Sequence, residues 1–301
     1  MMFGRRHGSP LSRGRQVNVS RMPDAISQSL IAHEREWGFS FRRMGAIVLR
    51  HFYLLRSSWA RVLELAYWPI INMVLWGFMT TFLVGQSSLF AQAGGLLLAA
   101  ILLWDVLFRS QLGLGLAFLE EVWSRNLGHI LVSPIRPYEY LAALFVVALM
   151  RVLIGVGPAA LFAWGLYDYS IFTMGLPLIA FFVNLVVLGW AIGLAINGLI
   201  LRFGLGAESM AWMALFVLAP ICGIYYPLAV LPEWLRAVSY AIPASYIFEG
   251  MRAVLIQHEF RVDYVVTAAL LNLVYIAGGV TAFLYCFRAA RHRGLILQIG
   301  E

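Results

Sequence analysis

Lysine is absent from this sequence of 301 residues, and all 22 of its basic residues are arginine. A P-loop nucleotide site ends in Gly-Lys-Ser/Thr, because the ammonium neutralises the phosphates that the glycine-rich turn cradles. No such site can be written in these residues. Charge of either sign is scarce: 12% of residues are charged, against about 25% in soluble domains. With 61% hydrophobic residues, the composition excludes an ordinary soluble core and points to an all-α polytopic membrane protein. Cysteine is limited to Cys222 and Cys286, both inside apolar runs, which argues against a disulfide framework or a zinc site. The six histidines are scattered. HEREW at 33–37 is not the HExxH of a zinc helix, and no nucleophile–base pairing falls within a span. An intramembrane enzyme therefore has no catalytic set, and no metal or cofactor ligands stand out. Residues 1–24 lack a following apolar core, so they are no cleavable signal peptide. Their Arg/Gly/Ser/Pro content reads as a disordered, basic cytoplasmic tail.

What the sequence does have is long apolar runs. No charged residue occurs between Leu65 and Trp104, enough for two spans of about 20 residues, with a Gly/Ser/Gln-rich turn at 85–95 between them. Six spans are expected within a membrane domain of 65–290: 66–84, 92–117, 138–165, 172–200, 209–230 and 264–287. Eighteen arginines then lie on the side that holds both termini. Three (Arg236, Arg252 and Arg261) lie on the other, and Arg151 falls inside a span. The positive-inside rule makes the first side cytoplasmic, including the tail 291–301. The net charge of +7 thus belongs to the membrane surface rather than to a nucleic-acid interface.

Within residues 25–64 the segment 42–62 has amphipathic periodicity. Met44, Ile47, Val48, Phe52, Leu55, Trp59 and Val62 fall within an arc of about 140° at helical spacing. Arg42, Arg43, Arg50, Arg56 and Arg61 fall opposite. This predicts a helix lying in the interface with its arginines near anionic lipid headgroups.

One polar patch interrupts the oily chain, FLEEVWSRNLGHILVSPIRP at 118–137. Its apolar residues recur at helical spacing with Glu120, Glu121, Arg125 and Asn126 between them, and Pro134 and Pro137 end it. This predicts a short amphipathic helix over about 120–132 on the cytoplasmic side. Inside the membrane, Asp105 and Arg151 are costly enough to need partners. They stand 23 positions either side of residue 128, the centre of the loop, so a symmetric hairpin would pair them. Asn72, Asn184 and Asn197 are candidate interhelical hydrogen-bond partners. Gly189, Gly193 and Asn197 share one helix face, as in small-xxx-small packing.

Taken together, the basic amphipathic helix, the segment 107–144 and the Pro- and Tyr-rich stretch GIYYPLAVLPEWLRAVSYAIPASYIFEGMRAVL at 223–255 resemble the membrane subunit of an ABC-2-type exporter over about residues 40–290. The resemblance implies six transmembrane helices, with an interfacial helix before them and short re-entrant helices at about 231–255, between spans 5 and 6. It further implies that the patch is a coupling helix. Glu120, Glu121, Trp123, Arg125, Asn126 and Leu127 would then receive motion from a separate ATPase subunit, present in two copies and carrying the ATP and Mg. A second copy of this chain is implied as partner, in a bacterial inner membrane. Tyr225, Tyr226, Pro227, Tyr246, Glu249 and Arg252 form either an interfacial aromatic belt or an outer gate and substrate path, with Glu249 and Arg252 spaced for a local pair. A secondary transporter or channel without an ATPase is the competing reading. Such carriers concentrate acidic groups at mid-membrane, where only Asp105 stands here.

Overall fold

The computed structural model describes residues 39–292, residue 87 excepted. The tail 1–24, residues 25–38 and residues 293–301 lie outside the described residues, as do His7, His33 and HEREW. All regular structure among the described residues is helical. The helices are α1 Phe41–Arg56, α2 Trp59–Gln86, α3 Ser88–Trp123, α4 Leu127–Val132, α5 Pro137–Tyr167, α6 Leu176–Phe203, α7 Ser209–Ile221, α8 Glu233–Ser239, α9 Pro243–Arg252 and α10 Val262–His292.

Five of these, α2, α3, α5, α6 and α10, are long and apolar enough to cross a membrane. The expected span over 209–230 differs. Its helix α7 has 13 residues, about 20 Å at 1.5 Å per residue, short of a hydrocarbon core of about 30 Å. Pro220 removes one backbone donor near its end, and Gly223 at φ +62° turns the chain away. A 3-10 turn at Leu228–Val230, then α8, α9 and a π-helical turn at Ala253–Gln257, carry it to α10. The Ser239 hydroxyl donates to the Ile221 carbonyl at 2.7 Å, tying α8 to the end of α7.

Helix α6 is central. It packs on α10 and α3, and α3 packs in turn on α5 and α2. Small residues make these approaches possible. A β-carbon on Gly279 of α10 would lie 2.5 Å from the Ala191 carbonyl oxygen, and one on Gly193 would lie 3.0 Å from Leu114. Gly189 and Gly193 therefore do form a helix-packing face, directed at α3. On that face Asn197 donates to the Leu114 carbonyl at 3.5 Å. Asn184 accepts from Asn272 of α10 through both its carbonyl (3.0 Å) and its side-chain oxygen (2.9 Å).

The apolar core divides in two along the bundle. One cluster is built around Leu102, Leu103, Phe181 and Phe248, the other around Phe118, Leu144, Leu194 and Phe283. The outward faces of α2 (Trp68, Leu75, Phe78, Phe82) and α10 (Leu270, Leu273, Val274) are exposed, as expected of surfaces that meet lipid or another apolar helix.

Candidate functional site

The polar patch is not one helix. Helix α3 continues through Glu120, Glu121, Val122 and Trp123, so the expected helix over 120–132 is divided between two elements. The chain breaks at Arg125, whose φ of +53° is left-handed and costs a residue with a β-carbon about 1 kcal/mol. The break is held by backbone bonds from Arg125 to the Val122 carbonyl (2.9 Å) and from Asn126 to that of Glu121 (3.0 Å). It is held also by the Asn126 amide, which donates to the Glu121 carboxylate at 2.8 Å. Helix α4 then lies with Leu127 buried. Pro137 opens α5, where Glu139 accepts from the Arg136 backbone N–H at 3.1 Å in a capping box.

The geometry sorts the predicted coupling residues. Glu121 and Leu127 are buried, Glu120 and Asn126 are partly covered, and Trp123 and Arg125 are exposed. The two glutamates thus face inward. Glu121 accepts from Arg50 of α1 and has the His51 Nδ1 at 3.7 Å. Glu139, also fully buried, accepts twice from Arg43, at 3.0 and 2.7 Å. These bonds fasten α1 onto the ends of α3 and α5. The expectation that α1 turns its arginines to lipid headgroups is therefore corrected for Arg43 and Arg50. A guanidinium beside a buried carboxylate gains a charge-assisted, in one case bidentate, bond. The partners Glu121 and Glu139 are distant in sequence, so periodicity alone could not reveal them. Arg42 and Trp59 remain exposed, as do the apolar Phe41, Leu49, Phe52 and Tyr53 on the outer face of α1. Ile47, His51 and Leu55 form its buried face.

His51 sits inside this clamp with its Nε2 3.4 Å from the Ala117 carbonyl. Burial first, then the guanidiniums of Arg151 and Arg50, push its pKa down from 6.5 to about 4. The nearby Glu121 favours the imidazolium, but Arg50 and Asn126 already occupy that carboxylate, so the neutral ring prevails. The folded state then rejects a proton that the unfolded chain accepts. Stability is unaffected above pH 6.5 and falls as the pH drops from 6.5 towards 4. Unfolding midpoints measured across that window should decline for the native protein, and the decline should be shallower for His51→Phe.

The expected Asp105–Arg151 ion pair is not formed. Arg151 Nη2 donates to Glu120 at 2.6 Å, while Asp105 has Asn72 and Arg109 as polar neighbours. The cause is register. A β-carbon on Gly113 would lie 3.4 Å from Arg151, and one on Gly155 3.5 Å from Arg109. Both pairs centre the hairpin on residue 132, four positions later than the sequence suggests, because α3 runs to Trp123 and α5 begins only at Pro137. The position facing Arg151 shifts by eight residues, about 12 Å. The arginine side chain also leans toward the start of its own helix, away from Asp105 and towards Glu120. Glu64 and Arg61 of α2 add their fields to Arg151, and Glu64 and Asp105 to Arg109. Reversing one charge, in Glu120→Arg or Arg151→Glu, should lower stability by about 2–3 kcal/mol, and the double reversal should recover most of it. Exchanging Asp105 with Arg151 should recover nothing, as measured by thermal unfolding in detergent.

At the other end, Glu249 and Arg252 do pair, at 3.3 Å. Arg252 is buried and also donates to the carbonyls of Gly223, Ile224 and Tyr226, while Glu249 accepts from the Leu228 N–H at 2.8 Å. The two residues therefore pin the turn that ends α7. Pro227 lies within that turn. Tyr225 stacks on Trp76 of α2, centroids 5.0 Å apart. Tyr226 and Tyr246 bond locally, to the carbonyls of Pro220 and Tyr240. Arg109 and Glu139 are the buried charges that sequence reasoning missed. For Glu139 alone a local cue exists, its position three residues after Arg136 across a helix-starting proline. Among the described residues no three His, Cys, Asp or Glu side chains come together to hold a metal.

Compared with protein families, residues 46–256 match the model of the ABC-2 type transporter, more than two thirds of the chain. Comparison with individually curated proteins returns no match.

Proposed function

From its membership of the ABC-2 type transporter family, which makes this chain the permease component of an ABC transporter, we infer an ATP-driven exporter whose hydrolysis takes place on a separate subunit. The observation that supports this most directly is the broken helix at 120–132. Its carboxylates are fastened to α1 and α5, and Trp123 and Arg125 are left outward. A push on that outward tip would move α1, α3 and α5 together, because partly buried charge-assisted bonds tie them. A chain without lysine supplies no P-loop, so the push comes from a partner ATPase that binds ATP and Mg. Two copies of each subunit, facing one another in a bacterial inner membrane with the arginine-rich end cytoplasmic, give a path between the permeases. With α7 and the turn that follows it as the sixth membrane pass, the short helices before α10 then form a re-entrant outer gate. The cargo is amphipathic, lipid-linked or carbohydrate, and it leaves from the cytoplasm or the inner leaflet.

The test is affinity capture of the full chain from detergent extract of its native membrane. An ATPase subunit should co-purify with the native chain, and the capture should fail for Trp123→Glu/Arg125→Glu. A chain that purifies alone and conducts ions in liposomes would make it a channel or secondary transporter instead.

A further inference from the structure

We propose that Arg50 and a proton on His51 are alternative partners for one oxygen of Glu121, Oε1, and that taking up the proton releases Arg50 while α1 stays attached. The contacts divide the carboxylate in two. Oε2 accepts from the Asn126 amide at 2.8 Å. Oε1 accepts from Arg50 Nη1, and the His51 Nδ1 stands 3.7 Å from that same atom. Two successive residues of α1 thus converge on one acceptor, and Arg50 holds it.

His51 is buried, and its Nδ1 has no hydrogen-bond partner among the described residues. The other ring nitrogen faces the Ala117 carbonyl at 3.4 Å. That oxygen can only accept, so the neutral ring carries its hydrogen on Nε2. Nδ1 is left with a lone pair turned towards a carboxylate. Buried polar atoms are nearly always paired, and this one meets an acceptor it cannot use. A proton on Nδ1 turns the same geometry into a charge-assisted bond, provided that Arg50 yields Oε1.

Arg50 is able to yield. Its side chain is 39% exposed, whereas those of His51 and Glu121 are sealed. A rotation brings the guanidinium to water, and no rotation does so for the imidazole. The surrounding charges leave Glu121 as the only carboxylate to serve. Glu120 is taken up by Arg151 and Glu139 by Arg43. Arg61 and Glu64 of α2 act on Arg151, and the buried Tyr140 hydroxyl near Arg50 is neutral. Burial, Arg151 and Arg50 together oppose the imidazolium. Departure of Arg50 removes one of the three and bares Glu121, which favours the charged ring.

One proton enters from water, and Arg50 keeps its own charge. The freed guanidinium joins Arg42 and Arg56, both exposed on α1. A fall in pH thereby adds an outward cation to this helix and strengthens its attraction to an anionic surface. Asn126 keeps Oε2 throughout, so the bend at 124–126 is undisturbed. The exchange does not depend on the permease reading.

The experiment is magic-angle-spinning NMR of the full chain in phosphatidylcholine bilayers, with 15N-labelled histidine and arginine, from about pH 8 down to about pH 4. The signals are identified by their loss in His51→Phe and in Arg50→Met. The Arg50 Nε signal should move in the native chain as His51 becomes an imidazolium, and it should stay still in His51→Phe. In Arg50→Met the proton affinity of His51 should rise about tenfold or more, the effect of an unmasked carboxylate. Adding Glu121→Gln should cancel that rise. The proposal is overturned if the Arg50 signal moves alike with and without His51, or if Arg50→Met leaves the affinity of His51 unchanged. It is overturned also if Arg50 is released while His51 stays neutral, since the proton has then gone to Glu121. The comparison of the native chain with His51→Phe leaves Arg50 and Glu121 in place, so it decides the matter even where the other variants fail to fold.

Discussion

Glu121→Ala is expected to lower the stability of the permease by about 2–3 kcal/mol and to uncouple it from ATP turnover. The carboxylate is fully buried and serves Arg50, the Asn126 amide and the rim of His51 at once. Removing it strands two donors, the Arg50 guanidinium and the Asn126 amide. Breaking a buried pair costs about 3–5 kcal/mol, but the Arg50 side chain is 39% exposed and can turn to water, which reduces the figure. The larger consequence is mechanical. Asn126 is the link between the outward tip and the body of α3, and Arg50 is the link to α1. With Glu121 gone, α4 can move without carrying α1. In the reconstituted complex ATP hydrolysis should continue while transport falls, and the thermal midpoint should drop. Glu121→Gln keeps an acceptor for both donors and should lie between. Unchanged transport in Glu121→Ala would show that the clamp transmits nothing.

The second large effect is expected at Gly279. Its α-carbon is so close to α6 that a β-carbon would sit 2.5 Å from the Ala191 carbonyl oxygen and 3.1 Å from that residue's Cα. Both obstacles are backbone, so no side-chain rotation relieves them, and α10 must move away from α6. These two helices share the most extensive helix–helix contact among the described residues. Their separation also loosens Asn272 from Asn184. Gly279→Ala should cost about 2–3 kcal/mol, the upper part of the range for overpacking, and Gly279→Val more. At Gly278, where a β-carbon meets nothing within 4 Å, the alanine variant should unfold within about 0.5 kcal/mol of the native chain. Thermal unfolding of the two variants side by side decides the point. Equal midpoints would mean that α10 is not packed on α6 as described.

Much of this was legible in the residues themselves. Apolar runs sparse in charge locate five of the six expected spans as long helices, and glycines at spacing four on α6 mark the face that meets α3. Glu249 and Arg252, three apart, announce their own pair. What the sequence concealed are relationships set by chain reversal. Asp105 and Arg151 look symmetric about residue 128, yet a hairpin midpoint displaced by four residues is enough to give Arg151 to Glu120. Arg43 and Arg50 occupy the polar arc of an amphipathic helix, and that arc is equally consistent with headgroups or with buried carboxylates on other helices. The helix of span 5 is shorter than the 209–230 expected because a proline and a glycine three residues apart end α7 early. Proline occurs in the interiors of α2 and α5 as well, so Pro220 alone gave no warning.

The left-handed kink at Arg125 has a practical consequence. Lysine tolerates that backbone no worse than arginine, since both carry the same β-carbon, so Arg125→Lys preserves the bend. It would also install the sole ε-amine in these 301 residues. Apart from the chain's own α-amine, acylating reagents would then have one address on this chain, at the point where the proposed ATPase partner would shield it. The rate of its modification becomes a direct gauge of how tightly that partner sits at each step of the nucleotide cycle.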